Sequence, residues 1–145
     1  MEKIPLTKQD QNLIESALRE FDKPLSHDWH GVVAALRLQS GKIVTGFALE
    51  AEVPSLTICA EPIAIGKALA DLPDDPITTI VAVRRREDTD HKVIPPCGRC
   101  REFITDYAPD ADVIIFDMDE NALCKVKAFE LLPFKYTRSV SGTME

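Results

Sequence analysis

At 145 residues, with 45% hydrophobic and 28% charged side chains, the chain can bury one core without disulfide staples and is not a disordered or repetitive segment. A net charge of -7 repels a phosphate backbone, so nucleic acid is set aside and a small molecule is the expected partner. Charges interrupt every apolar stretch short of a membrane span, and Met1 to Pro5 lacks the apolar run of an export signal; a cytoplasmic location away from membranes is expected.

In chain order, Leu6 to Phe21 sets Leu13, Ile14, Ala17, Leu18 and Phe21 at helical spacing behind Thr7 as N-cap, and predicts a first helix. Gly31 to Leu38 and Ile43 to Leu49 are β-rich runs on either side of Gln39-Ser40-Gly41-Lys42, which reads as a hairpin. Thr57 to Leu72 carries Ile63, Ala64, Ala68 and Leu69 on one stripe, so a second helix starts near Cys59 and stops before Pro73 and Pro76. Ile77 to Val83 has the composition of a buried strand, and the charged stretch Arg84 to Lys92 reads as an exposed loop. Pro95-Pro96 introduces a third helix, Gly98 to Tyr107. Asp112 to Phe116 is a short strand, Cys124 lies in another, and Ala128 to Leu132 forms a short final helix. Residues 1–138 are read as one domain and 139–145 as a flexible tail. Alternating helices and strands after a hairpin predict an α/β fold with a mixed, partly parallel sheet and helices packed on it.

A reducing compartment leaves the four cysteines without a disulfide role. Two short pieces give three of them another one: Cys59-Ala60-Glu61 and Pro96-Cys97-Gly98-Arg99-Cys100, each at a predicted helix start. Cys97 and Cys100, three residues apart on a helix, share a face and reach one ion; Cys59 supplies a third thiolate. Three protein ligands instead of four leave a place for water, the mark of a catalytic Zn2+ site. Glu61, two residues from Cys59, reaches that place without being a ligand and is the expected proton carrier. Cys124 reads as a small buried hydrophobe. A structural zinc module without catalysis is the alternative of another class. It needs a fourth ligand, and no histidine or fourth cysteine adjoins either piece. Arg99 has two readings, an exposed helix cation or a donor of hydrogen bonds to the thiolates.

Leu56-Thr57-Ile58-Cys59-Ala60-Glu61 and Pro96-Cys97-Gly98-Arg99-Cys100-Arg101-Glu102 resemble the small three-cysteine cytidine deaminases. So do Ala34-Ala35-Leu36, Gly41 to Gly46 and Glu130-Leu131-Leu132-Pro133-Phe134. The resemblance runs from the first helix to Tyr136. It implies the cytidine deaminase-like fold, a five-stranded mixed sheet with helices on both faces, and a homotetramer whose active sites are shared between subunits. It also implies zinc-dependent hydrolytic deamination of a cytidine-like aminopyrimidine nucleoside or base, with substrate contacts at His30, Glu50 and Ala60. In motif detail the chain is similar to the blasticidin-S deaminase branch: Pro62 follows the Cys-Ala-Glu where cytidine deaminases carry Arg, and Arg99 stands inside the second motif. Ala48-Leu49-Glu50 replaces the ribose-reading Asn-x-Glu, so Glu50 reads either as a hydroxyl acceptor or as an exposed carboxylate at a strand end. His30 stands where a phenylalanine meets the base, and either stacks there or fills space. His91 and Arg138 replace the Arg and Trp of the blasticidin branch. A blasticidin-type antibiotic or another aminoheterocycle therefore remains the alternative substrate.

Overall fold

In the computed structural model, which describes residues 1–24, 29, 31–85 and 91–138, the first helix, α1 (Lys8–Glu20), starts where Thr7 can cap it. The Asp10 backbone N–H donates to Thr7 Oγ1 at 3.3 Å, and the Thr7 N–H donates to Asp10 Oδ2 at 2.8 Å. This reciprocal box satisfies donors that a helix end leaves orphaned. Leu13, Ile14 and Ala17 form the buried stripe that the spacing predicts.

The predicted hairpin is present as β1 (Val32–Leu38) and β2 (Ile43–Phe47), antiparallel, with Ala35 opposite Thr45. Gly41 takes the turn with φ of 92°, a backbone state that lacks steric penalty only for glycine. Next comes α2 (Ala60–Asp71), then β3 (Ile77–Arg84), which pairs antiparallel with β1. A three-residue strand, β4 (Lys92–Ile94), returns along the second half of β3 and leads into α3 (Gly98–Tyr107). After α3, β5 (Asp112–Asp117) runs parallel to the first half of β3, and β6 (Ala122–Lys127) pairs antiparallel with β5. The main path is β2-β1-β3-β5-β6, five strands as expected, with β4 as a sixth attached to β3. Strand β4 is the element the sequence does not announce, since Lys92 reads there as the end of a loop. The final helix is a 3₁₀ turn, Ala128–Leu131. The proposed tail, 139–145, lies outside the described residues.

Side chains alternate across a strand, so β1 feeds two cores at once. Val33 and Ala35 face Leu13, Ala17 and Phe21, with Val81, Val83 and Ile114 beside them. Ala34, Leu36 and Leu38 belong to the opposite core with Ile65, Ile104, Val113 and Val126. Helices therefore cover both faces, α1 on one and α2 with α3 on the other. Burying each of these Leu, Ile or Val side chains stabilises the fold by about 1.5–3 kcal/mol.

Helix α2 lies unusually low on the sheet. A Cβ added at Gly46 would sit 2.7 Å from Ala64 N, 3.0 Å from Ala64 Cα and 3.2 Å from Ala60 O, all backbone atoms. Glycine in β2 and the alanines of α2 together set the height of the helix, and with it the height of Cys59. No helix among the described residues is long and apolar enough to cross a membrane.

Candidate metal centre

Cys59 is the N-cap of α2 and Cys97 the N-cap of α3. That position usually holds Ser, Thr, Asp or Asn, whose oxygen accepts from the first turn. Neither sulfur makes a full capping bond, although the Cys100 N–H lies near enough to favour the Cys97 thiolate. The local backbone places them elsewhere: Leu49 and Ile58 exchange both backbone hydrogen bonds at 2.9 Å, which pins the chain to the end of β2 just before Cys59. Pro95 and Pro96, with no N–H to extend a ladder, lead the chain out of β4 just before Cys97.

The sulfurs converge. Cys59 Sγ lies 3.7 Å from Cys97 Sγ, which lies 3.6 Å from Cys100 Sγ, and all three fall within 4.8 Å of one another. Tetrahedral zinc with bonds of about 2.3 Å spaces its sulfurs by roughly 3.8 Å, so the donor set fits that ion. Two helix N-termini aim their positive ends at the sulfurs and favour thiolates. Among the described residues the metal-capable group contains these three side chains and no fourth.

Glu61 stands in the first turn of α2, only 4% exposed, and its Oε2 accepts from Cys100 Sγ at 3.2 Å. Burial, followed by the Glu61 charge, pushes the Cys100 thiol well above its ordinary range. Burial also raises Cys59. At Cys97 burial acts in the same direction, but the Cys100 backbone N–H and the neighbouring thiols outweigh it and the net shift is downward. Three thiolates and a carboxylate cannot share so small a space uncompensated, whereas a divalent cation at their centre reverses that penalty.

Residues 7–116 match the cytidine and deoxycytidylate deaminase zinc-binding region. The chain belongs to this deaminase family. It is a zinc-dependent hydrolytic deaminase acting on the C–N bond of an aminopyrimidine. The deaminase is 40% identical over 143 residues to a blasticidin-S deaminase of Bacillus cereus, covering 96% of this chain and all of that one. It is 31% identical over 106 residues to a cytidine deaminase of Halalkalibacterium halodurans, covering 73% and 76% of the two chains. The crystal structure of the cytidine deaminase from Bacillus anthracis superposes with a TM-score of 0.73 at 26% identity, covering 88% of this deaminase and 89% of that chain.

Of the remaining residues singled out from the sequence, Ala60 is fully buried as the first residue of α2. Glu50 is exposed, one residue past the Leu49–Ile58 bridge. His30 lies outside the described residues. Arg99 Nη1 donates to the Thr57 carbonyl at 3.3 Å, spanning from α3 to the segment ahead of Cys59. His91 packs on Phe21 with ring centroids 5.1 Å apart, in the layer of α1. Cys124 is buried in β6, as a small hydrophobe would be.

Two contributors to the deaminase centre are not singled out by sequence reasoning. Gly46 reads as an ordinary strand glycine, although isolated glycine in a strand pattern does signal a close backbone approach. Arg101 follows Cys100 and is given no role by the sequence; it is part-buried, and its guanidinium bonds to two backbone carbonyls.

Proposed function

We propose that Cys59, Cys97 and Cys100 hold the zinc and that Glu61 carries protons while a free aminopyrimidine nucleoside or base loses its amine to water. The observation that carries this reading is the Glu61 carboxylate, buried beside the three sulfurs without belonging to their set. Zinc, when bound, supplies the acidity that makes water nucleophilic near neutral pH. Glu61 then takes a proton from the water, passes it to the ring nitrogen next to the reacting carbon, and delivers a second to the departing amine. The oxo product and ammonia account for all atoms of substrate and water. Buried among α2 and the cysteines, Glu61 is held on a rigid element, so little reorganisation is needed between the two transfers. Arg99 ties α3 to Thr57 and supports the thiolates by holding the two ligand-bearing segments together. Ala60, Glu50 and His30 are assigned to the substrate side of the pocket.

A second reading is favoured by one observation: the identity to the blasticidin-S deaminase extends over nearly the whole chain. In that reading the substrate is an aminonucleoside antibiotic whose cytosine ring loses the same amine. Ammonia release from cytidine, deoxycytidine, cytosine and blasticidin S, with zinc-loaded protein beside its Glu61→Gln variant, distinguishes the two. Glu61→Gln is expected to lower turnover by about 10²–10⁴-fold with zinc retained. Full activity in that variant removes Glu61 from the mechanism, and turnover of blasticidin S alone selects the second reading.

The same reading places the enzyme as a homotetramer in the cytoplasm without nucleic-acid partners. Supporting the assembly, Phe129, Phe134, Tyr136 and Tyr107 are all exposed, and Phe134 also adopts a left-handed φ of 55° that a bulky side chain rarely takes. The charge of -7 supports a small-molecule substrate, and the need for reduced thiols supports the compartment.

A further inference from the structure

Cys97 is the exposed member of the cluster, and its sulfur is turned to the cluster, 3.6 Å from Cys100 Sγ, instead of capping its helix. The Arg101 N–H donates to Cys97 O at 2.9 Å, the opening bond of α3 that any residue there would make. The side chain adds a bond of its own on the other side of the Cys97 nitrogen: Nε donates to Pro96 O at 2.9 Å. The other end of the guanidinium, Nη1, donates to Leu131 O at 3.2 Å, at the end of the last 3₁₀ turn. The side chain therefore bridges the loop that carries Cys97 to the C-terminal segment. That segment has a second tie to α3: Lys135 Nζ contacts Glu102 O, Glu102 Oε2, Thr105 Oγ1 and Asp106 Oδ1 at 2.9–3.1 Å.

We propose that Arg101 is a positioning residue for the zinc centre, setting the place of Cys97 by gripping Pro96 and Leu131 at once. This rests on the reading that the three cysteines hold zinc. Only a guanidinium presents donors on two sides of one rigid plane; an ammonium at the same position reaches one carbonyl at a time. Lys135 performs the purely mechanical part, tying the C-terminal segment to α3 without touching the Cys97 loop. The two residues therefore separate a metal-positioning role from a general packing one.

Zinc affinity of the full chain, measured by competition with a chromophoric chelator, tests this in Arg101→Gln, Arg101→Lys and Lys135→Met, together with the sulfur-to-metal absorption of the Co2+-loaded forms. Arg101→Gln is expected to weaken zinc binding by about 10–100-fold and to shift the Co2+ spectrum, as losing the groups that orient a ligand does. Arg101→Lys, which keeps one carbonyl, is expected to fall between it and wild type, and it also serves if the glutamine variant fails to fold. Lys135→Met is expected to bind zinc as wild type does while melting at lower temperature. Equal zinc affinity in wild type and both Arg101 variants overturns the proposal, as does an equal loss in Lys135→Met. Wild-type protein that binds no zinc at all overturns the underlying assignment instead, a result distinct from either.

Discussion

The two faces of the sheet bury charge in opposite ways. Under α1, Asp10 is 0% exposed, yet each carboxylate oxygen is engaged: Arg37 Nη2 donates to Oδ1 at 2.8 Å, Lys125 Nζ lies 2.9 Å from Oδ2, and Thr7 donates to Oδ2 through both its N–H and its hydroxyl. Lys125 continues to Asp112 at 3.3 Å, and Lys127 reaches Asp112 at 2.7 Å. Under α2 and α3, Glu61 is also buried, but it accepts from the Cys100 thiol, which a metal ion would claim. A buried carboxylate surrounded by fixed cations stabilises a fold. One beside metal ligands has the surroundings that suit the proton-carrying role proposed for Glu61. Burial alone does not separate the two roles; the partners do.

The sharpest way to break the comparison is at a sulfur. Cys100→Ser should leave α1 and its ion network intact while abolishing zinc binding and reducing turnover to background, read by metal content and ammonia release. On the other face, Asp10→Asn removes the charge shared by Arg37 and Lys125, which keep only Thr79 and Asp112, and should cost about 2–4 kcal/mol in chemical denaturation, with turnover per folded molecule unchanged. An equal loss of turnover in the surviving folded fraction would erase the distinction between the faces.

Acidity sharpens the same contrast. Burial works against the Asp10 charge, but the Thr7 N–H, Arg37 and Lys125 outweigh it and hold its carboxyl down to about 2 from an ordinary 3.8. A depressed carboxyl stabilises the fold fully above its ordinary value and loses that contribution as pH falls toward the depressed one. Stability of the wild type should therefore drop between pH 3.8 and about 2, with a shallower drop in Asp10→Asn across the same window. Gly46→Ala comes next, at about 1–3 kcal/mol, because its Cβ must displace the α2 backbone. Since α2 carries Glu61 and starts at Cys59, zinc affinity should fall as well, which no α1 variant would cause. Smallest is Lys23→Ala, which removes an exposed ammonium from its pair with the part-buried Glu20 at 2.5 Å and should change stability by no more than about 1 kcal/mol.

Local signals made much of this legible in advance. Thr7 marks the start of α1, and α3 spans Gly98–Tyr107 as expected after Pro95-Pro96. The cluster was legible because its chemistry demands particular residue types at fixed offsets, and Cys59, Glu61, Cys97 and Cys100 satisfy those offsets within two short pieces. Three features were not legible, and each is a relation between separate segments of the chain. Strand β4 is only three residues long and gains its identity from pairing with Ala82, Val83 and Arg84. The tightness at Gly46 depends on Ala64 and Ala60. Arg101 matters through Leu131, thirty residues away. Composition and periodicity describe a segment's own preferences and carry no record of which neighbour it will meet.

Strand β3 changes neighbours halfway along, pairing with β5 at Thr79 and Ile80 and with β4 from Ala82 onward. That handover acts as a ruler. Because β4 re-registers the chain against β3, residues added or removed between Arg84 and Lys92 leave the starting point of α3 untouched. The stretch from Ile94 to Cys97 has no such tolerance, since it alone links the last paired residue of β4 to the sulfur, and one extra residue, about 3.5 Å of chain, would carry Cys97 and Cys100 away from Cys59. Natural variants and designed libraries that diversify this enzyme by insertion should therefore survive on one side of β4 and fail on the other.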